Sequence, residues 1–427
     1  MKETVRNSFR KNYQLFSRAF AYRNYRLYFY GQAFSVIGTW MQRIAMSWLV
    51  YRMTNSEILL GVVGFATNIS DLLIAPFVGV IADRYDRRKI VIVTQSLAAV
   101  QALILAILVL TNSIQVWQLI VLSFILGTIF AVDRPARQSF INDIVEKKED
   151  LGNAIALNSL LFNAARLIGP TVAGILVAVA GEGICFLINS VSYVSVLTAL
   201  VLIRVKLTGI SVKRPSMMKE FIEGARYSFG FKPIKAMLII MAVVSFASLP
   251  YLLLMPVFAR EVLHGDSRTM GFLMGSVGVG AVIGGIIFAM RKNVKGIGTH
   301  IAKAIIIMSV GLILFSQSTN LYLSMFFLAI TGFGQINMFS ASNTAIQNLA
   351  EDDKRGRVLA FYYTAILGIA PFRDILSGYS AEKISAPTTI LIGAVISIFA
   401  AFAFLKQIPE LRKIVRPIFI SQGVKYD

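Results

Sequence analysis

The chain of 427 residues is 56% hydrophobic with a mean hydropathy of +0.69, above the roughly 45–50% apolar share of soluble domains, which excludes a soluble globular class. Its net charge of +20 falls in short loops between apolar runs and not in one patch, so it carries topological information and excludes a nucleic-acid surface. A single cysteine, Cys185, excludes an intramolecular disulfide. No His/Cys cluster, nucleotide-binding glycine loop or Ser-His-acid set is present to run enzyme, metal or cofactor chemistry, and His264 and His300 are placed in loops.

Crossing roughly 30 Å of hydrocarbon takes about 20 helical residues. Runs of that length are expected at 27 to 51, 58 to 81, 90 to 111, 117 to 138, 154 to 180 and 183 to 203, then at 234 to 259, 269 to 290, 301 to 317, 321 to 345, 357 to 380 and 387 to 405. The sequence therefore predicts an all-α membrane protein of twelve helices. The first run lacks a small-residue cleavage site and reads as a retained helix. The N-terminal segment, the even-numbered loops and the C-terminal tail hold 35 Lys and Arg, with Arg134 and Arg137 counted at the end of helix 4, whereas the odd loops hold 4. By the positive-inside bias both termini are expected in the cytoplasm.

Residues 1–203 form a first six-helix half and 234–427 a second half with its tail, joined by a linker at 204–233. After Pro215 the linker shows a helical pattern, with Met217, Met218, Phe221 and Ile222 on one side and Lys219 and Arg226 elsewhere, the pattern of a helix lying on the inner leaflet. The halves share a weak internal similarity: Gly127 to Pro170 and Gly332 to Pro371 each carry a helix, a charged loop and a helix.

The connection between helices 2 and 3 reads GVIADRYDRRK over residues 79 to 89: Gly79, then Asp83 beside Arg84, then Arg87, Arg88 and Lys89. This stretch resembles the signature loop of the major facilitator superfamily, with Asp86 where the pattern usually has a second glycine. The resemblance implies a two-halved secondary transporter whose inner gate is stabilised by Gly79, Asp83, Arg84, Arg87 and Arg88. Residues 22 to 57, 133 to 141 (DRPARQSFI), 153 to 170 and 260 to 271 resemble the branch that holds the bacterial enterobactin exporter, with macrolide efflux and lysophospholipid-transporter proteins as looser relatives. Gly169, Pro170 and Gly174 partly match the superfamily's antiporter signature, implying a bendable helix 5 in the gate. The glycines of helix 8 are its expected packing partner.

Charges at a helix centre cost roughly 2.5–3.5 kcal/mol each on the insertion scale, so Arg43, Asp71, Arg166, Arg373 and Asp374 each need a reason. Arg43 and Asp71 lie within side-chain reach of one another and are expected to pair, either structurally or as a pair that changes partner during transport. Arg166, near mid-membrane with no acid at its level in its half, suits a bound anion or the carbonyls freed by Pro170. Arg373 and Asp374 point about 100° apart as neighbours on a helix, so they are not expected to pair with each other alone. Asp71 and Asp374 are the proton-coupling candidates. Gln32 and Gln42, Gln335, Asn337 and Asn343, and Phe361, Tyr362 and Tyr363 complete the candidate cavity, with Arg43, Arg166, Gln32, Gln335, Asn337, Tyr362 and Tyr363 as substrate-binding residues.

Together these features predict a monomeric bacterial inner-membrane exporter driven by proton antiport, with small-molecule, proton and lipid partners, no nucleic acid, and no metal or cofactor. A siderophore-like organic anion is the leading substrate. The alternatives are a macrolide or multidrug exporter, a lysophospholipid transporter, a channel, and a non-transporting receptor or scaffold.

Overall fold

The computed structural model describes residues 18–204, 217–291, 293–351 and 354–421, with the side chains of 75–84, 148, 217–221 and 421 outside that description. Pro215, and the side chains of Met217, Met218, Lys219, Phe221, Asp83 and Arg84, therefore lie outside it. The described residues are almost wholly helical and contain no strand.

Ten runs among them are long and apolar enough to cross a membrane. One, Lys148–Leu202, is two helices, α5 and α6, because Gly181 (φ 80, ψ 167) leaves helical geometry between them. A further 32-residue helix, Arg23–Thr54 (α1), is made less apolar by Gln32, Gln42 and Arg43. The next spans in the chain are Glu57–Arg84 (α2), Arg87–Leu110 (α3) and Val116–Ile144 (α4). Met217–Gly230 (α7) is a short helix in the segment expected as a linker. After it come Lys232–Ser248 (α8), Ser267–Ala289 (α9), Ile297–Ser316 (α10), Leu321–Leu349 (α11), Arg355–Tyr363 (α12) and Ala386–Ser421 (α13). The span begun by α12 continues through a π turn at Thr364–Gly368 into Ala370–Ile384. Among the described residues twelve membrane-length helices result, as expected.

Contacts gather the chain into two compact units, Met1–Met46 with Ser70–Ser211 and Ser47–Ile69 with Val212–Asp427. The facing ends of α1 and α2 are thus part of the second unit.

In the first unit small residues let helices approach, which matters because lipid tails supply no hydrophobic drive between membrane helices. A Cβ on Gly31 of α1 would stand 2.7 Å from Ala199 Cβ on α6, and Ser195 Oγ donates to Gly31 O at 2.8 Å in the same contact. Buried amides add bonds between helices: Gln42 donates to Gln101 Oε1 at 2.8 Å and accepts from Asn189 Nδ2 at 2.5 Å. Gln42 is 2% exposed, so its amide is committed to packing α1 on α3 and α6 and does not line a cavity.

The connection from α2 to α3 is only Tyr85 and Asp86. Asp86 takes an ordinary negative φ of −58° and its carboxylate accepts from Arg88 N at 2.9 Å, so it caps α3 at the position where the resembled loop pattern usually has a second glycine. Arg87 bonds Asp143 near the end of α4 at 2.8 Å. Arg88 donates to Leu200 O and Val201 O at 2.8 and 3.0 Å, filling carbonyls at the C-terminus of α6. Gly79, Asp83 and Arg84 lie in the last turns of α2, where only the helical backbone is described.

In the second unit α9 and α11 interlock through glycine on both sides: Gly280 meets Ala329 O, Gly332 meets Val277 O, and a Cβ on Gly284 would lie 2.9 Å from Phe333 O. The helix 8 glycines therefore find α11 as their partner within this unit. Helix α7 docks on the start of α12, where Glu223 pairs with Arg357 at 3.1 Å and Phe229 meets Phe361 edge-on at 6.3 Å. Tyr227 lies 4.6 Å beneath Lys354 Nζ in the same contact. The linker helix thus has a protein partner as well as the amphipathic pattern expected of it.

Replacing Asp86 by Ala should remove the cap of α3 and cost about 1 kcal/mol, while Asp86→Gly should cost only a few tenths. Thermal unfolding in detergent checks this: a larger loss for glycine than for alanine would mean that the cap is not what Asp86 supplies.

Candidate functional site

Helix α5 lies against α1 at Gly169, where a Cβ would stand 2.6 Å from Trp40 Cβ. One helical turn before Gly169, on the same face, Arg166 places its guanidinium 5.3 Å from the Trp40 ring centre. Arg43, three residues after Trp40 on α1, stands 4.9 Å from the same ring. The two guanidinium groups are thus within about 10 Å of each other. At an effective dielectric constant near 20 that spacing carries a repulsion on the order of 1.5–2 kcal/mol. Each cation–π contact returns about 0.5–2 kcal/mol. An anion seated between the two turns the repulsion into attraction. Arg43 and Arg166, expected as separate stations, are brought together on one indole.

Asp71 was expected opposite Arg43; the ion pair it makes is with Arg134 Nη1 of α4 at 2.8 Å. Helix α4 runs to Ile144, past the expected end at 138, so Arg134 and Arg137, counted at that end with the cytoplasmic-side charges, stand well inside the helix. Asp133, fully buried, accepts from Thr94 Oγ1 and Gln95 Nε2 at 2.9 and 2.8 Å and lies 3.2 Å from Arg137 Nη2. Arg137 donates to Gln32 Oε1 at 3.2 Å and stands 4.9 Å over the Phe162 ring of α5. The i,i+4 spacing of Asp133 and Arg137 was the available signal; Arg137 was counted only as cytoplasmic-side charge at the end of helix 4, and Asp133 was not among the embedded charges considered.

In the second unit Arg373 and Asp374 do pair, with Arg373 Nε and Nη2 at 2.8 and 2.7 Å from Asp374 Oδ1. A long arginine side chain can fold back across the 100° between neighbours, so the expectation from Cβ directions fails. The pair is not alone, because Asn68 Nδ2 donates to Asp374 Oδ2 at 2.7 Å. Glycine permits this: a Cβ on Gly61 would lie 2.7 Å from Asp374 O, and one on Gly64 would lie 3.0 Å from Asp374 Cβ. Asn68 and the glycines of α2 were not anticipated; their Gly-x-x-Gly spacing was legible.

The other expected cavity residues are dispersed. Tyr251 OH donates to Gln335 Oε1 at 3.1 Å. Asn337 is 1% exposed, lies 3.0 Å from His300 Nε2 and donates to Phe333 O at 2.9 Å, between α10 and α11. His300 is accordingly in the first turn of α10 and not in a loop. Tyr362 is buried with its hydroxyl on Phe339 O at 3.1 Å, and the exposed Tyr363 accepts from Asn343 Nδ2 at 3.0 Å. A cavity of about 440 Å³ lies among α8, the Ala370–Ile384 helix and α13; Arg373, Ser377, Ser380 and Thr389 are its polar lining.

Residues 18–416 match the family model described as transmembrane secretion effector, within the major facilitator transporters. The chain belongs to this family. It is 24% identical to the staphyloferrin A transporter of Staphylococcus aureus (strain NCTC 8325), over 88% of this chain and 94% of that protein. It is 23% identical to macrolide efflux protein A of Streptococcus pyogenes, over 92% and 98%. The multidrug efflux pump Tap of Mycolicibacterium fortuitum is 20% identical over 82% and 87%. Among solved structures, a bacterial homologue of the iron transporter ferroportin in an inward-facing state superposes with a TM-score of 0.69 at 16% identity, over 90% of this chain and 98% of that one. A POT family transporter in complex with 5-aminolevulinic acid gives 0.70 at 10% identity, over 91% and 96%. The structural likenesses establish the fold. This secretion-effector protein is a multi-pass membrane transporter and not an enzyme.

Asn68→Ala should leave Asp374 Oδ2 without its donor and cost about 1.5–3 kcal/mol, the usual worth of a hydrogen bond to a charged group. Asn68→Asp should cost more, since it sets two carboxylates face to face. Unfolding midpoints of the two variants at pH 7 test this, and equal midpoints would remove Asn68 from the Asp374 site.

Proposed function

We propose that this transporter is a proton-driven exporter of a siderophore-like organic anion across the bacterial inner membrane, with both termini in the cytoplasm and six-helix halves at 1–203 and 234–427 joined by the linker 204–233. The observation that carries the substrate class is the convergence of Arg43 and Arg166 on Trp40, which concentrates positive charge at one level of the first unit. The similarity to the staphyloferrin A transporter supports the same class, and the secretion-effector family supports export. Asp71 and Asp374 are the coupling acids: each holds an arginine, and protonation of either would weaken that hold and reset the helices it joins. Arg87 and Arg88, with Gly79, Asp83, Arg84, Gly169 and Pro170, belong to the gate. A monomer contains everything this cycle needs, with lipid around it.

The similarity to macrolide and multidrug efflux proteins favours a second reading, in which the substrate is a bulky uncharged or cationic drug. Charge selectivity separates the two. In everted vesicles with an imposed pH gradient, Arg166→Lys should lower transport of a catecholate siderophore severalfold and Arg166→Gln by ten- to a hundredfold, because the planar fork that suits carboxylate and catecholate oxygens is lost. Transport of a cationic dye should be unchanged or improved. Equal losses for both substrates would reduce Arg166 to a packing residue and favour the drug reading.

Coupling is tested in the same vesicles with Asp71→Asn and Asp374→Asn. At least one should transport without responding to the gradient. Retention of gradient-driven transport by both would exclude both acids as the coupling site.

A further inference from the structure

The network around Asp133 places a third guanidinium on the face of α5 that already carries Arg166. Phe162 and Arg166 are four residues apart, so they lie one above the other on α5. Arg137 stands over Phe162 at 4.9 Å, and Arg166 stands over Trp40 at 5.3 Å. Helix α1 bridges the same two levels: Gln32 meets Arg137, and Trp40, eight residues on, meets Arg43 and Arg166, a separation of about 12 Å along the helix. The result is a column in which cationic groups alternate with aromatic rings, from Arg137 through Phe162 and Arg166 to Trp40 and Arg43.

Two details distinguish the Arg137 level from ordinary packing. Asp133 is fully buried and its Oδ1 is held by Thr94 and Gln95, so it fixes the guanidinium in place without following it outward. The Gln32 amide gives its oxygen to Arg137, while its Nε2, on the same fully buried amide, has no partner. A guanidinium and an unused N–H donor therefore stand side by side, the arrangement that a carboxylate bridges.

We propose that Arg137 and Gln32 form a second anion subsite of the first unit, about 12 Å along α1 from the Arg43–Trp40–Arg166 site, and that the transported anion carries two or more carboxylate-like groups which engage both. Asp133 is the positioning residue that holds Arg137 toward Gln32. The inference rests on the anion-exporter reading and extends it from charge sign to charge spacing.

Suberate and octanoate have the same chain length and differ by one carboxylate, so they separate the two subsites. Binding of each is measured by calorimetry on the full chain in nanodiscs, with wild type, Arg137→Gln, Arg137→Lys, Asp133→Asn and the doubly neutral Asp133→Asn/Arg137→Gln. Wild type should bind suberate at least tenfold more tightly than octanoate. Arg137→Gln and the double variant should lose that ratio while keeping octanoate affinity within twofold, which also shows that they are folded. Arg137→Lys should keep part of the ratio, and Asp133→Asn should lower it through a mispositioned Arg137. A ratio that stays at the wild-type value in both Arg137→Gln and the double variant overturns the second subsite and leaves the anion reading standing. Wild type that binds neither compound overturns the anion reading, and this inference with it.

Discussion

The contact between Gly169 and Trp40 is the point on which the first unit's chemistry depends. Without a Cβ at Gly169, α5 settles onto the indole, and every functional residue of that helix face is then registered against α1. Arg166 comes over the ring from one helix and Arg43 from the other. In hydrocarbon, where water cannot solvate a stray guanidinium, such registration decides whether an arginine is a liability or a binding group. A side chain as small as alanine at this position would push the helices apart by tenths of an ångström and loosen both contacts together.

The second unit solves a similar problem with a different charge. Asp374 is 3% exposed, and it is tolerated there because Arg373 folds back onto one oxygen while Asn68 takes the other. Gly61 and Gly64 bring α2 close enough for Asn68 to reach. Both units thus use absent side chains to position present ones, and both place a carboxylate where its charge is already answered.

Much of this was legible beforehand. Long apolar runs and alternate basic loops predicted twelve helices, and the GVIADRYDRRK stretch and its neighbours carried the family resemblance. Five membrane-embedded charges were identified as needing partners, and Arg43 and Arg166 as worth attention. The partners were harder. Asp71 takes Arg134, which was counted only with the basic residues at the cytoplasmic end of helix 4, where topology accounted for it and no partner was sought. Asp374 takes Arg373 because side-chain length overrides Cβ direction. Asn337 and Gln42 looked like cavity amides, yet their hydrogen-bonding capacity is absorbed by neighbouring helices, which composition along one chain does not reveal. Asp86 shows the reverse: a departure from the family pattern that the structure explains through a helix cap.

The π turn at Thr364–Gly368 bears on how the two ends of its span relate. Closing a hydrogen bond across five residues in place of four accommodates one residue beyond the regular spiral, which rotates everything after it by about 100° relative to an unbroken helix. Pro371 follows at once and withholds the N–H that would tighten the turn again. The segment that receives α7 and the segment that bears Asp374 are therefore set in different rotational registers along one span, and the two ends of one membrane helix present faces that an unbroken helix would not align.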